Sequence, residues 1–405
     1  MINFDNENDT VVDQEVVKKL KGWGNYIQAK LGFRNHWYPV GFSEDLEENK
    51  PKPIQLGGEK LLINRIDGEV FCIADTCLHR GVSFSEKIEC YSKDTVTCWY
   101  HGWTYNFNDG KLCDILTDPN SQMIGTRALQ TYPVEEAKGM MFVFLGDVAE
   151  GDEPPALGLD LPPWFLDEDR YVMGIGREIE SNWRLGAENG FDTTHIFIHK
   201  DSSYLTARDA PIPLGFATEQ KLELGIHDKD GAPKGVVDPL MGNYRPVFDA
   251  NIKGESVLSS VRPEGEHSTI YQVSLWMPGI LTVENHPEPD ITQVEFYVPI
   301  DEKRHMYFQI LSKKGVTEPE QIHRYKEEFT SLHEPLALRG FNDDDIWARK
   351  ASQAFYDDDY GWLEEQLFEP DHNLIAWRKL ASEHCRGIQR APRTGAARVV
   401  APKKE

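Results

Sequence analysis

Six cysteines are few for a chain of 405 residues, and four of them fall between positions 72 and 98. So small a number cannot staple a fold of this length, and its clustering favours metal ligation over cross-linking. Long apolar runs are missing too, since none approaches the roughly 20 residues a membrane-spanning helix needs. Positive charge is scarce: 43 Lys and Arg stand against 67 Asp and Glu, a formal charge of −24. That balance argues against nucleic acid or an anionic membrane surface as the main partner. The opening residues, MINFDNENDT, carry neither the basic nor the apolar stretch of a secretory signal. A cytoplasmic protein is expected, and no internal repeat is visible.

What is present divides into four stretches. Residues 1–36 form an N-terminal segment with helical spacing over 11–31, interrupted by Gly22 and Gly24. Residues 37–150 switch to short β-branched and aromatic runs, with Asp67-Gly68 and Asp109-Gly110 as hairpin signals. An acidic, proline-rich linker over 150–165 opens a larger domain spanning 151–385. Strands are expected there at 268–284 and 291–301, a helix over 182–200, and a second helical stretch over 318–355 broken near Pro335 and Gly340. The basic tail, 386–405, has little to bury and is expected to be disordered.

Two short motifs carry the chemistry. CLHRG places Cys77 and His79 two positions apart, and TCWYHGW places Cys98 and His101 three apart, each half followed by a glycine. Zinc sites usually pair Cys with Cys and His with His, because each loop clips one side of a tetrahedron. Here each loop carries one of each. That order suits a [2Fe–2S] cluster with Cys77 and Cys98 on one iron and His79 and His101 on the other. Cys72, Cys90 and Cys113 fit neither half and read as packed thiols.

Further on, ENGFDTTHIFIHK sets His195 and His199 at i, i+4, on one face of the expected helix, with Asp192 nearby. Position 196 is Ile, so the glutamate of a hydrolytic zinc motif is missing. Two histidines and one carboxylate form the facial triad of non-haem Fe(II) oxygenases. FNDDDIWAR offers Asp343, Asp344 and Asp345 as third ligand, and spacing does not choose among them.

CLHRG with TCWYHGW is the Rieske signature, and the chain resembles the Rieske non-haem iron aromatic-ring-hydroxylating oxygenases over nearly its whole length, from LGFRNHWYPV to LIAWRKLASEH. The resemblance implies an α+β fold, in which a β-rich Rieske [2Fe–2S] domain is inserted into a catalytic domain with a curved antiparallel sheet packed on long helices. It implies one Rieske cluster and one mononuclear Fe(II) per chain, with Asp345 as third iron ligand. A head-to-tail homotrimer is implied, supplied with electrons by a ferredoxin and its NAD(P)H-dependent reductase. The activity implied is angular cis-dihydroxylation of carbazole-like fused aromatics; the alternative is a Rieske monooxygenase or demethylase acting on another aromatic.

The same resemblance gives Asp192 a bridging role, from the outer nitrogen of His195 or His199 to His101 of a neighbouring subunit. Matching motif positions nominate Gly190, Ile196, Val283, Phe341 and Asn342 for the substrate pocket. Lys18, Lys19, Lys21 and Arg127 are the expected basic contacts for ferredoxin. One departure stands out: His286 occupies a position where relatives are expected to carry an apolar aromatic.

Overall fold

The computed structural model describes residues 12–20, 22–148, 152–192, 194–204, 212–213, 223–224, 234–238, 247–248, 261–262 and 273–391. The chain forms two compact units, one of residues 1–32 and 158–388, the other of residues 33–157 and 389–405.

The smaller unit is built of hairpins. Strands β1 (His36–Phe42), β2 (Lys52–Leu56), β3 (Glu59–Ile66), β4 (Glu69–Ala74), β5 (Thr95–Thr97), β6 (Trp103–Asn106), β7 (Leu112–Ile115), β8 (Thr131–Tyr132), β9 (Val134–Ala137) and β10 (Met140–Leu145) form three antiparallel sheets. Their orders are β2-β3-β4-β8, β1-β10-β9 and β5-β6-β7. Asp67 and Gly68 turn β3 into β4 with φ of 51° and 87°, the left-handed pair that a two-residue hairpin requires. Leu62, Ile73, Phe84, Val96, Tyr105 and Leu112 pack into one core that also takes in Cys77 and Cys98. The tail begins as part of this unit. Gln389 is buried, accepting from Arg34 Nη1 at 2.7 Å and donating to the Gly57 carbonyl at 3.1 Å and to Glu59 Oε1 at 2.9 Å. Disorder from residue 386 onward is thus corrected for its first residues, because this amide satisfies buried polar groups. Residues 392–405 lie outside the described residues.

The larger unit opens with two short helices, α1 (Gln14–Lys19) and α2 (Gly24–Gln28), separated where glycines were expected to interrupt. Its strands are β11 (Arg170–Ile179), β12 (Ile212–Pro213), β13 (Glu223–Leu224), β14 (Gly235–Asp238), β15 (Val247–Phe248), β16 (Val261–Arg262), β17 (Val273–Trp276), β18 (Ile280–Glu284), β19 (Ile291–Pro299) and β20 (His305–Lys314). Seven of them make an antiparallel sheet in the order β11-β20-β19-β18-β17-β14-β13, and β12-β15-β16 make a small one. The expected linker is partly structural: Leu157, Asp160, Leu161 and Phe165 are buried, and Asp160 pairs with Arg386.

Helix α3 (Trp183–Phe191) lies on the large sheet, started by Asn182, whose side chain accepts from the Arg184 N–H at 3.1 Å. A Cβ on Gly186 would stand 2.5 Å from the Tyr297 ring, and one on Gly190 2.5 Å from Leu281 Cδ2. Glycine one turn apart therefore lets α3 approach the sheet closely. After β20 come α4 (Pro319–Glu328), a π-helical segment Phe329–Arg339 containing Pro335, and α5 (Asn342–Ser352). The expected break at Pro335 and Gly340 takes this form: the Gly340 N–H bonds to the Pro335 carbonyl at 3.0 Å, five residues back. α6 (Gly361–Glu364) and α7 (His372–His384) complete the unit.

Candidate metal centres

In the smaller unit, the two halves of the Cys/His pattern fold into matching loops. The Cys77 N–H donates to the Val82 carbonyl (2.9 Å) and the Gly81 N–H to the Cys77 carbonyl (2.9 Å). The Cys98 N–H donates to the Trp103 carbonyl (2.7 Å) and the Gly102 N–H to the Cys98 carbonyl (2.9 Å). Gly81 and Gly102 close the loops at φ of 71° and 72°, a conformation costly for any residue with a Cβ.

Both cysteines are buried and unbridged, whereas His79 is exposed and His101 half-exposed. The site thus has a thiol side facing the core and an imidazole side facing outward. The two thiols act on each other: Cys77 pulls the Cys98 thiol down, and is itself pushed up by Cys98 and by burial. Behind them, the Tyr105 hydroxyl lies 3.6 Å from Cys77 Sγ and accepts from the Leu78 N–H at 3.3 Å. Outside, the His79 ring stacks on Trp103 at 5.1 Å between centroids and 7° between planes, with the His101 ring 4.4 Å away. One cysteine and one histidine from each loop suit a two-iron cluster, in which both loops serve both irons, better than a single zinc.

The second centre lies in the larger unit. His195 and His199 sit not on a continuation of α3, as expected, but on a 3₁₀ segment, His195–Asp201. α3 ends because Asp192 leaves the helical region (φ −68°, ψ 115°) and its carboxylate accepts from both the Thr194 N–H (2.7 Å) and hydroxyl (2.8 Å). Aspartate's turn-forming habit overrides helical periodicity here. The Asp192 carboxylate is thus turned to Thr194, and it is the Asp192 backbone carbonyl that contacts His195 Nδ1. That contact leaves Nε2 as the ring's other face.

His195 Nε2 and His199 Nε2 each stand 3.4 Å from Asp345 Oδ1, and the three donor atoms form one group within 4.8 Å. Of the three aspartates, Asp343 pairs with Arg177 and Asp344 Oδ2 lies 3.4 Å from His199 Nδ1. Only Asp345 is buried. Burial opposes its ionisation, but His199, His195 and Arg349 outweigh that and hold its carboxyl well below the usual carboxylate range. Both His199 ring nitrogens and Asp345 Oδ1 are buried without a hydrogen bond. A separation of 3.4 Å is too long for a charge-assisted hydrogen bond, about 2.7–2.9 Å. It suits donors sharing a cation at about 2.1 Å, so the set fits a divalent metal.

Asn342 holds the other carboxylate oxygen, Oδ2, at 3.2 Å, and also donates to Glu295 Oε1 at 3.0 Å. Arg349 lies 3.9 Å from Asp345 Oδ2 and 3.7 Å from Glu295 Oε2. Arg349 and Glu295 escaped sequence reading, although Arg349 follows Asp345 by four residues and so shares its helix face.

The other nominated residues scatter. Phe341 stacks on His199 at 3.7 Å and 15°, and packs with Ile196, Tyr204 and Ala337. His286 is buried with its ring 5.4 Å from those of both Phe341 and Tyr204. Gly190 faces Leu281 and Tyr297, and Val283 pairs in the sheet with Val273 and Gln293. Lys18, Lys19 and Arg127 are exposed; Lys21 lies outside the described residues.

Residues 36–133 match the family described as Rieske [2Fe-2S] domain, and residues 144–389 the one described as homotrimeric ring hydroxylase. The terminal oxygenase component of carbazole 1,9a-dioxygenase from Metapseudomonas resinovorans is 52% identical over 93% of this chain and 97% of its own. A solved structure of the reduced complex between oxygenase and ferredoxin in carbazole 1,9a-dioxygenase superimposes with a TM-score of 0.87 at 50% identity, covering 95% of this chain and 98% of that one. The terminal oxygenase of carbazole 1,9a-dioxygenase from Nocardioides aromaticivorans IC177 gives 0.82 at 46%, covering 91% and 99%.

Proposed function

The chain belongs to the homotrimeric ring hydroxylases that carry a Rieske [2Fe–2S] domain, and from that membership we propose that it is the terminal oxygenase of a ferredoxin-dependent system performing angular cis-dihydroxylation of carbazole-like fused aromatics. The observation that carries the reading is the meeting of His195, His199 and Asp345 at a buried point, in a chain that also holds the twin Cys/His loops. Cys77, His79, Cys98 and His101 would hold the cluster, and His195, His199 and Asp345 the mononuclear iron. When bound, the cluster supplies a one-electron store and the iron a centre for O₂ chemistry.

Around the iron, this chain's residues do three things. The Asp192 carbonyl fixes the His195 ring with Nδ1 engaged and Nε2 presented. Asn342 engages Oδ2 of Asp345, so that Oδ1 is the donor. Phe341, Ile196 and Tyr204 make an apolar wall beside His199 that suits a flat hydrophobic ring and keeps water away. The Asp192 carboxylate, held by Thr194, is the proposed link to His101 of a neighbouring subunit, and Arg127 and Lys21 the proposed ferredoxin contacts.

No helix among the described residues is long and apolar enough to cross a membrane. A cytoplasmic location follows from the proposed dependence on an NAD(P)H-linked reductase.

The deciding experiment is turnover of carbazole under ¹⁸O₂ with a compatible ferredoxin and reductase. A diol-derived product carrying both labelled atoms is expected; a single labelled atom would instead indicate a monooxygenase.

A further inference from the structure

A second group of three donors, none of them used in the centres above, lies in the same unit. Glu288 in the turn between β18 and β19, Glu328 at the end of α4 and His333 in the π-helical segment each bring one donor atom within 4.8 Å of the other two. His333 is 1% exposed and the two glutamates are partly buried, so the imidazole forms the floor and the carboxylates the rim.

Distance and burial together separate an ion-pair cluster from a cation site. His333 Nε2 stands 3.5 Å from Glu328 Oε1. An imidazolium bonded to a carboxylate closes to about 2.7–2.9 Å. Donors arranged tetrahedrally around a cation at about 2.1 Å sit about 3.4 Å apart. The observed gap is close to the second arrangement and to the 3.4 Å between both histidines and Asp345, and unlike the exposed His323–Glu327 pair at 3.4 Å it involves a buried imidazole. Lys313 strengthens the case, since its Nζ takes Glu328 Oε2 at 2.8 Å and leaves Oε1 directed at His333. That arrangement orients a one-oxygen ligand and offsets one of the two negative charges.

We propose that Glu288, Glu328 and His333 hold a divalent cation of the zinc class, with water completing its coordination. One imidazole and two carboxylates are a donor set that Zn²⁺ accepts readily. Its mechanical effect follows from the elements joined. Glu288 belongs to the turn that also carries His286 and Pro287, and the Pro287 carbonyl accepts from the Tyr204 hydroxyl at 3.0 Å. A cation there ties this turn to the start of the π-helical segment, bracing the wall formed by Tyr204, His286 and Phe341.

The test uses the full chain loaded with three irons and Zn²⁺ as the probe, with metal analysis after dialysis. One zinc per chain at unchanged iron content is expected. His333→Gln and Glu288→Gln should keep three irons and the Rieske absorption while binding zinc at least about tenfold more weakly, since even outer partners of a metal site cost that much. If His333→Gln fails to fold, Glu288→Gln, on a turn, carries the test alone. Zinc taken up only as iron is lost, no zinc bound, or wild-type zinc affinity in the folded variants would overturn the proposal.

Discussion

Asn342 Nδ2 donates to Asp345 Oδ2 across 3.2 Å, one turn away on the same helix, and with its other hydrogen it reaches Glu295. One amide therefore decides which oxygen of the proposed iron ligand faces the histidines. Asn342→Ala is expected to weaken mononuclear iron binding by about 10–100-fold, as loss of an outer partner does. Titration with a ferrous chelator measures this, while the Rieske spectrum should stay unchanged. Wild-type iron retention would show that Arg349 alone orients the carboxylate.

Gly81 and Gly102 close the twin loops at nearly the same φ, yet their surroundings differ. A Cβ at Gly81 meets nothing within 4 Å, whereas one at Gly102 meets Leu116 Cβ at 3.0 Å. Gly81→Ala should therefore cost only the left-handed strain, about 1–2 kcal/mol. Gly102→Ala should cost more and lower the cluster content of purified protein. Visible absorbance per chain compares the two, and equal losses would contradict the packing difference.

His286 puts an imidazole into a wall otherwise made of Tyr204 and Phe341. Replacing it by Phe should raise kcat/KM for the hydrocarbon fluorene relative to dibenzofuran by about tenfold, the scale of a modest pocket change. Competition between the two substrates gives the ratio directly. An unchanged ratio would place the ring outside substrate contact.

His305 is fully buried, with Nδ1 2.7 Å from the Ser181 carbonyl. Burial holds its pKa down at about 3, against an ordinary value of 6.5. Between those values the unfolded chain binds a proton that the folded chain refuses. Stability is thus fully present above pH 6.5 and falls as pH drops, by about 2 kcal/mol at pH 5. His305→Asn, whose amide can still donate to Ser181, should flatten that slope in urea unfolding between pH 7 and 5. An unaltered slope would assign the acid sensitivity to other groups.

Candidate ligands were legible in the sequence wherever they rested on fixed spacing. Cys77, His79, Cys98 and His101 are bound to their loops by glycines whose role can be read without coordinates. The hairpin at Asp67-Gly68 and the break around Pro335 were legible for the same reason, because backbone limits act locally. Asp345 was not separable from Asp343 and Asp344 by spacing, since burial decides between them. The helix expected through His199 ended early because the Asp192 side chain competes for the backbone, an effect that apolar periodicity does not register. Glu295 stayed hidden inside a strand whose nine residues are all buried, where a buried carboxylate leaves no periodic trace.

The distribution of donors along the chain also sets an order of assembly. All four donors of the twin loops fall between positions 77 and 101, in a unit whose strands are complete by Leu145. His195 and Asp345 instead enclose every strand of the large sheet except β11. During synthesis the first set can close while much of the chain is still on the ribosome; the second cannot meet until α5 has emerged. Iron–sulfur loading can precede translation's end, whereas the mononuclear iron site cannot assemble before the large sheet and α5 are made.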